Sequence, residues 1–260
     1  MAGLRSVRPR IFHANLNWIL SCTYGITAAF LAGVKTIVAT QHLYGEMETR
    51  RQTLIQRFVS LVVDRYIAVS NDIAHQLKKD IFFSSKVQVV HNGILTNDFA
   101  STDPRSGKTE QTIRKDSKQN PEIILTVARL VEQKGLQYLL KAIPLVPGPL
   151  FLFAGDGPDR DDMERDIKEL NIGNRVRILG YRDDIPELLS ECSAFVLPSL
   201  YEGHPLSVME AMAAGRPVIA SDIKGIDEII VNGVSGYLVP PRNPEALASA
   251  IRTLLEDKEL

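Results

Sequence analysis

Glu202 and Glu210, with seven residues between them, lie in the stretch 198–215, where a strand-like run gives way to a helix-like one. Pro205 suits the first position of that helix, and Gly215 suits its exit. The backbone amides of Gly203, His204 and Leu206 would then stand at a helix N-terminus, where unsatisfied N–H groups and the macrodipole bind anions. Glu210 lies inside the helix and could accept hydrogen bonds from ribose hydroxyls. Read alone, it is more often simply a surface glutamate. Arg129 and Lys134 sit in the stretch 127–135, after an apolar strand and before a helix. Open α/β sheets bind ligands at the carboxyl ends of their strands. Two cations there can neutralise a pyrophosphate and stabilise its charge as it leaves, although a lone pair of basic loop residues is more often simply solvated. Gly155, in the stretch 154–158, permits close approach of backbone to a ligand, or serves only a strand-to-helix turn.

These residues need a scaffold, and the pattern supplies one. Short β-branched runs at 10–13, 36–40, 65–69 and 87–90 alternate with helix-like segments at 18–32, 47–63 and 71–79. A polar stretch rich in Ser, Thr, Lys, Asp and Gln then reads as a linker. After it come strand candidates at 123–128, 150–154, 176–179, 194–197, 218–220 and 236–239. Helix candidates lie at 136–143, 160–170, 185–189, 205–214, 226–231 and 244–255. Strands alternating with helices define parallel sheets covered on both faces. The expected organisation is an α/β protein of two Rossmann-like doubly wound domains, 1–99 and 121–260, joined by a linker at 100–120.

Composition narrows the function classes. Hydrophobic residues make up 45% of the 260 and charged residues 23%, the texture of an ordinary globular protein. A formal net charge of -1 gives no general electrostatic reason to bind nucleic acid. The two cysteines, Cys22 and Cys192, have no metal-type spacing and read as small buried residues in a reducing cytoplasm. The uncharged run 16–34 resembles a membrane anchor, but Asn17, Ser21, Thr23, Tyr24, Gly25 and Thr27 interrupt it, which favours a buried helix. The segment 47–65 carries Arg50, Arg51, Arg57 and Arg65 among apolar residues. It could lie at the inner face of a membrane, but a core-packed helix with a solvated edge is the expected arrangement. Asp159, Arg160 and Asp161 fit an Asp-x-Asp metal pattern, but 31 acidic residues make a chance match expected, and their place at a helix start suits the helix dipole.

The motifs occur in one order across about half the chain. They run from Ala128-Arg129-Leu130 with Lys134-Gly135, through Gly155-Asp156-Gly157-Pro158 and Gly180, to Glu202-Gly203, Glu210-Ala211 and Pro217-Val218-Ile219-Ala220. In this order the sequence resembles family-4 retaining glycosyltransferases of the GT-B fold. The resemblance implies transfer of a sugar from a UDP-, GDP- or ADP-sugar to a hydroxyl of a sugar, lipid or small-molecule acceptor, with no metal and no cofactor. It implies that Arg129 and Lys134 hold the diphosphate and that Glu210 contacts the ribose. Glu202, with backbone around Gly203, His204, Pro205 and Leu206, would contact the transferred sugar and its phosphate. Tyr181 and Arg182 lie where the family packs the base. Val38-Ala39-Thr40-Gln41-His42 resembles the family strand that ends in a histidine near the reaction centre, which makes His42 a catalytic candidate beside Glu202; His13 reads as structural.

The resemblance also implies an incomplete first domain, without the opening strand and Gly-rich loop, completed by further chain or by a partner. Three alternatives remain at this point. A non-catalytic nucleotide-sugar-binding subunit would bind donor without turnover. A sugar-nucleotide epimerase on the same fold would need no acceptor. A glycosidase using Glu202 and Glu210 leaves the phosphate-binding set unexplained.

Overall fold

The computed structural model describes residues 2–18, 20–45, 49–100 and 121–256. The chain forms two compact units, Met1–Asn92 with Glu202–His204, and Gly93–Tyr201 with Pro205–Leu260. Apart from Ala100, the expected linker at 100–120 lies outside the described residues.

The first unit runs α1 (Ala2–Val7), β1 (Ile11–Leu16), α2 (Thr23–Leu31), β2 (Thr36–Gln41), α3 (Arg50–Val62), β3 (Arg65–Ala68), α4 (Asn71–Asp80) and β4 (Val87–Val89). Its four strands form a parallel sheet in the order β1-β2-β3-β4. Ala14, Leu16, Ile37, Ala39, Tyr66 and Ala68 face a core shared with Ile26, Val59, Ile73 and Leu77 from the helices. The helix expected at 18–32 is shorter than its apolar pattern. Leu20 and Cys22 hold left-handed backbone (φ 59 and 60), which no α-helix accommodates, so α2 begins only at Thr23. Cys22 is also exposed, against the expectation of two buried cysteines, whereas Cys192 is buried and its thiol is pushed up to about 12. No helix of the described residues is long and apolar enough to cross a membrane.

Local capping fixes where the helices start. The Thr49 side chain accepts from the Gln52 amide, and the Gln52 side chain accepts in return from the Thr49 amide, a complete capping box. Thr49→Ala is expected to cost about 1 kcal/mol and, measured by thermal unfolding, to lower Tm by roughly 2–4 °C. Ser70 caps α4 through the Ile73 amide.

The second unit opens with α5 (Asn97–Ala100) and continues through β5 (Ile123–Val127), α6 (Leu136–Ala142), β6 (Leu150–Ala154), α7 (Arg160–Glu169), β7 (Val176–Gly180), α8 (Ile185–Glu191), β8 (Ala194–Leu197), α9 (Leu206–Ala213), β9 (Val218–Ser221), β10 (Tyr237–Val239) and α10 (Pro244–Glu256). Its six strands are all parallel, in the order β10-β9-β8-β5-β6-β7. Alternate residues feed opposite faces, as the period of two requires. Ile124, Phe151, Phe153, Val196 and Ile219 pack under α6, α7 and α10 with Leu139, Met163 and Ile251. Ile123, Leu125, Leu152, Phe195 and Val218 pack on the other face with Leu188, Leu189, Val208 and Ala211. Both faces are thus apolar, which is why these strands read as near-continuous hydrophobic runs. The helix expected at 226–231 is a set of turns instead. Gly225 enters it with φ 87 and the Lys224–Asp227 ion pair spans it.

Candidate functional site

In the second unit the chain leaves the central strand β5 toward β6 and β7 and then crosses back to β8, so the strand order reverses between β5 and β8. In an open α/β sheet that switch point opens a crevice outside the carboxyl ends of the strands. The loop after β5 carries Arg129, which is exposed, and Lys134, which is half-buried. The loop after β8 leads into α9, and the two loops are tied together. The Leu200 amide donates to the Gln133 carbonyl at 2.8 Å, and Gln133 Nε2 donates to the Tyr201 carbonyl at 3.0 Å. Gly135, with φ 61, is both the end of a short 3-10 turn and the N-cap of α6. A Cβ on it would lie well under 3.0 Å from the Pro198 carbonyl oxygen.

Gly155 lies directly against the loop after β5. Its φ of 144 and the approach of the Ala128 carbonyl, where an added Cβ would collide, make it a packing glycine beneath the β5 loop. The Leu130 amide donates to the Asp156 carbonyl and the Asp159 amide to the Leu130 carbonyl, which fastens the same loop from below. The glycine thus supports the loop that carries Arg129.

Pro205 is the N-cap of α9, with ψ 122, and not its first helical residue. Having no N–H, it offers no donor, so the helix-end amides begin at Leu206. Pro205 itself makes no side-chain hydrogen bond to them, and a helix N-terminus favours an anion. Gly215 ends the helix as expected: its amide donates to Met212 and that of Arg216 to Ala211. Glu210 lies one turn into α9. Its carboxyl is raised above the ordinary value by burial, with no hydrogen bond or cation opposing the shift. A desolvated carboxylate of this kind gains most from hydroxyl donors on a ligand.

That shift has a sign for stability. Burial disfavours the charged form, so the stability associated with the neutral carboxyl is complete below the unfolded-state value and is lost as pH rises through the raised one. Glu210→Gln, neutral throughout, is therefore expected to have a higher Tm than the parent at neutral pH, with the difference vanishing near about pH 4. Scanning calorimetry at both pH values checks this.

Tyr181 stands 84% exposed just after β7. The Arg182 guanidinium is committed to Asp184, donating from Nε at 2.7 Å and from a second nitrogen. The hydrogen bonds raise the arginine and hold the Asp184 carboxyl below its usual range. The side chain of Arg182 is thus a brace for its own loop, and the groups presented there are the Tyr181 ring and backbone.

In the first unit, His42 follows β2. Its Nε2 lies 3.1 Å from Asn15 Oδ1, at the end of the neighbouring strand β1. Burial and then the nearby His13 lower its basicity, which favours the neutral imidazole. His13 itself pairs across the sheet, Nε2 to Thr40 Oγ1 at 2.7 Å. The segment Glu202–His204 groups with this unit. Gly203 is buried, with the His42 carbonyl where a Cβ would go. The His204 ring stacks on His91 with centroids 5.1 Å apart, and its carbonyl accepts from Asn92 Nδ2 at 2.9 Å. Asn15, Asn92 and Gln133 escape sequence reading because nothing in their spacing announces a partner; each acts only through a residue distant in sequence.

Residues 108–260 match the model of glycosyl transferases group 1, and residues 2–98 match that of glycosyltransferase family 4. The first match covers more than half of the chain, which belongs to the glycosyl transferases group 1 family. The chain is 30% identical over 250 residues to the UDP-Gal:alpha-D-GlcNAc-diphosphoundecaprenol alpha-1,3-galactosyltransferase of Escherichia coli, covering 91% of this chain and 64% of that protein. It is 29% identical to a glycogen synthase of Mycobacterium tuberculosis, covering 97% of this chain and 62% of the relative. Its fold is similar to that of Anabaena HepE in complex with UDP-glucose, with a TM-score of 0.85 at 24% identity, covering 99% of this chain and 72% of the other. The architecture is therefore that of GT-B proteins, α/β with two parallel sheets. The chain spans 45–64% of the length of the first curated relatives it matches.

Proposed function

We propose that this chain acts in a retaining, metal-independent glycosyltransferase and binds its nucleoside-diphosphate sugar at the β5–β8 switch point. The observation that carries the reading is the pairing there of a cationic loop, Arg129 to Lys134, with the half-buried Glu210 one turn into α9. Arg129 and Lys134 neutralise the diphosphate, Glu210 accepts from the ribose, and the Tyr181 ring with local backbone receives the base. Glu202 contacts the transferred sugar. His42, whose neutral form is favoured by burial, hydrogen-bonds a sugar hydroxyl.

In the proposed reaction the bond from the anomeric carbon to the phosphate oxygen breaks, and the acceptor oxygen bonds to the same face. The acceptor proton passes to the departing phosphate. Cations and helix-end amides stabilise the charge that develops on it, so no divalent ion is required. A UDP-sugar is the first donor to try and a lipid-linked glycan the first acceptor, because the Escherichia coli relative is named for UDP-Gal and a diphosphoundecaprenol acceptor.

The test is release of UDP from UDP-galactose or UDP-glucose, with and without a polyprenyl-diphosphate-linked GlcNAc, in the presence of a chelator. Acceptor-dependent release giving an α-linked product supports the reading. A β-linked product overturns retention, loss of turnover with chelator overturns metal independence, and donor conversion without acceptor points to epimerisation.

A further inference from the structure

The helix α3 buries the wrong residues for an isolated surface helix. Gln56 is 3% exposed and Ser60 is fully buried, whereas Phe58 is 62% exposed and Leu54 and Leu61 stand in solvent with it. The spacing 54, 58, 61 draws one stripe along the outer face of the helix. Arg50, Arg51 and Arg57 border that stripe, and residues 49–63 contain no acidic side chain. The stripe continues onto the segment after α4. Phe82, 51% exposed, meets Phe58 edge to face with centroids 6.3 Å apart, and the Arg57 guanidinium lies 5.9 Å from the Phe82 ring centroid. Phe83 is exposed beside it. Lys86 fastens this segment to the end of α3, donating to the Ser60, Leu61 and Val63 carbonyls. The aromatic residues are thus held in place by a built contact.

We propose that this face of α3, with Phe82 and Phe83, docks onto an anionic lipid bilayer. Leucine and phenylalanine enter the boundary between headgroups and acyl chains, and the arginines pair with lipid phosphates. The two sets of side chains share one face, which is the arrangement an interfacial helix needs. A purely self-associating surface would not require three cations unrelieved by any acid on the same helix. The proposal deepens the reading of a lipid-linked acceptor, and the two fail separately because the patch and the nucleotide site use different residues.

The experiment is sedimentation of the full chain with vesicles of equal parts phosphatidylglycerol and phosphatidylcholine, beside vesicles of phosphatidylcholine alone. Each protein is titrated with UDP in parallel, and its mass in solution is measured by light scattering. Binding to the anionic vesicles is expected, weakened as salt rises from about 0.15 M to about 1 M. Arg50→Gln, Arg51→Gln and Arg57→Gln together are expected to reduce it by roughly 100-fold. Phe58→Ser with Phe82→Ser is expected to reduce it by at least about ten-fold. UDP affinity should be unchanged in both. The arginine set, on an exposed helix face, decides the matter alone if the phenylalanine variant does not fold. Absence of vesicle binding by a chain that binds UDP overturns the proposal, as does binding indifferent to the arginines. A dimer dissolved by Phe58→Ser would instead assign the face to a second copy.

Discussion

Lys134→Ala is expected to weaken nucleoside-diphosphate binding by roughly 100-fold, and to lower turnover by about 10²–10³-fold. Its side chain leaves the β5 loop at the point where that loop is tied to the β8 loop through Gln133 and Gly135. A cation there interacts with charge that grows as the phosphate departs, so its removal costs more in the transition state than in the ground state. Lys134→Arg retains the charge with a different reach and should recover part of the binding and less of the turnover. Calorimetry for affinity and single-turnover kinetics for chemistry separate the two effects. A variant with parental affinity and lowered turnover would place Lys134 away from the diphosphate in the ground state.

The second large effect is on stability. Gly135→Ala is expected to destabilise the protein by at least about 3 kcal/mol, because a side chain at φ 61 is strained and the Cβ would strike a backbone carbonyl of the buried Pro198. Scanning calorimetry should show a fall in Tm of roughly 6–12 °C. Gly33→Ala is the control. Gly33 has a similar φ of 76 with no atom near its missing Cβ, so its cost should be only the conformational one of about 1 kcal/mol. Equal losses in the two variants would show that the contact between the β5 and β8 loops contributes little.

Much of this arrangement is legible in the sequence. The strands β6 and β8 coincide with the apolar runs at 150–154 and 194–197, because strands buried on both faces leave no polar interruption. The loops after β5 and β8 are legible for the complementary reason: charge, Gly and Pro cluster where the apolar runs stop. What the sequence does not disclose is long-range partnership. Nothing in the spacing says that Gln133 reaches Tyr201, that Gly155 lies under Ala128, or that Arg182 is consumed by Asp184. Apolar spacing alone also misleads at 226–231, which forms turns, and at the start of α2, where left-handed backbone at Leu20 and Cys22 overrides it. On α3 the pattern marks an amphipathic helix correctly, but not that Leu54, Phe58 and Leu61 face outward while Gln56 and Ser60 face the core.

The most direct measurement is calorimetric titration of the chain with UDP, GDP and ADP, beside Glu210→Ala and Lys134→Ala. Saturable binding of one nucleotide, weakened by about ten-fold or more in each variant, is the predicted result, and would place the nucleoside diphosphate at the β5–β8 switch point. Parental affinity in both variants, or no binding of any of the three by a chain that unfolds cooperatively, would contradict the site assignment.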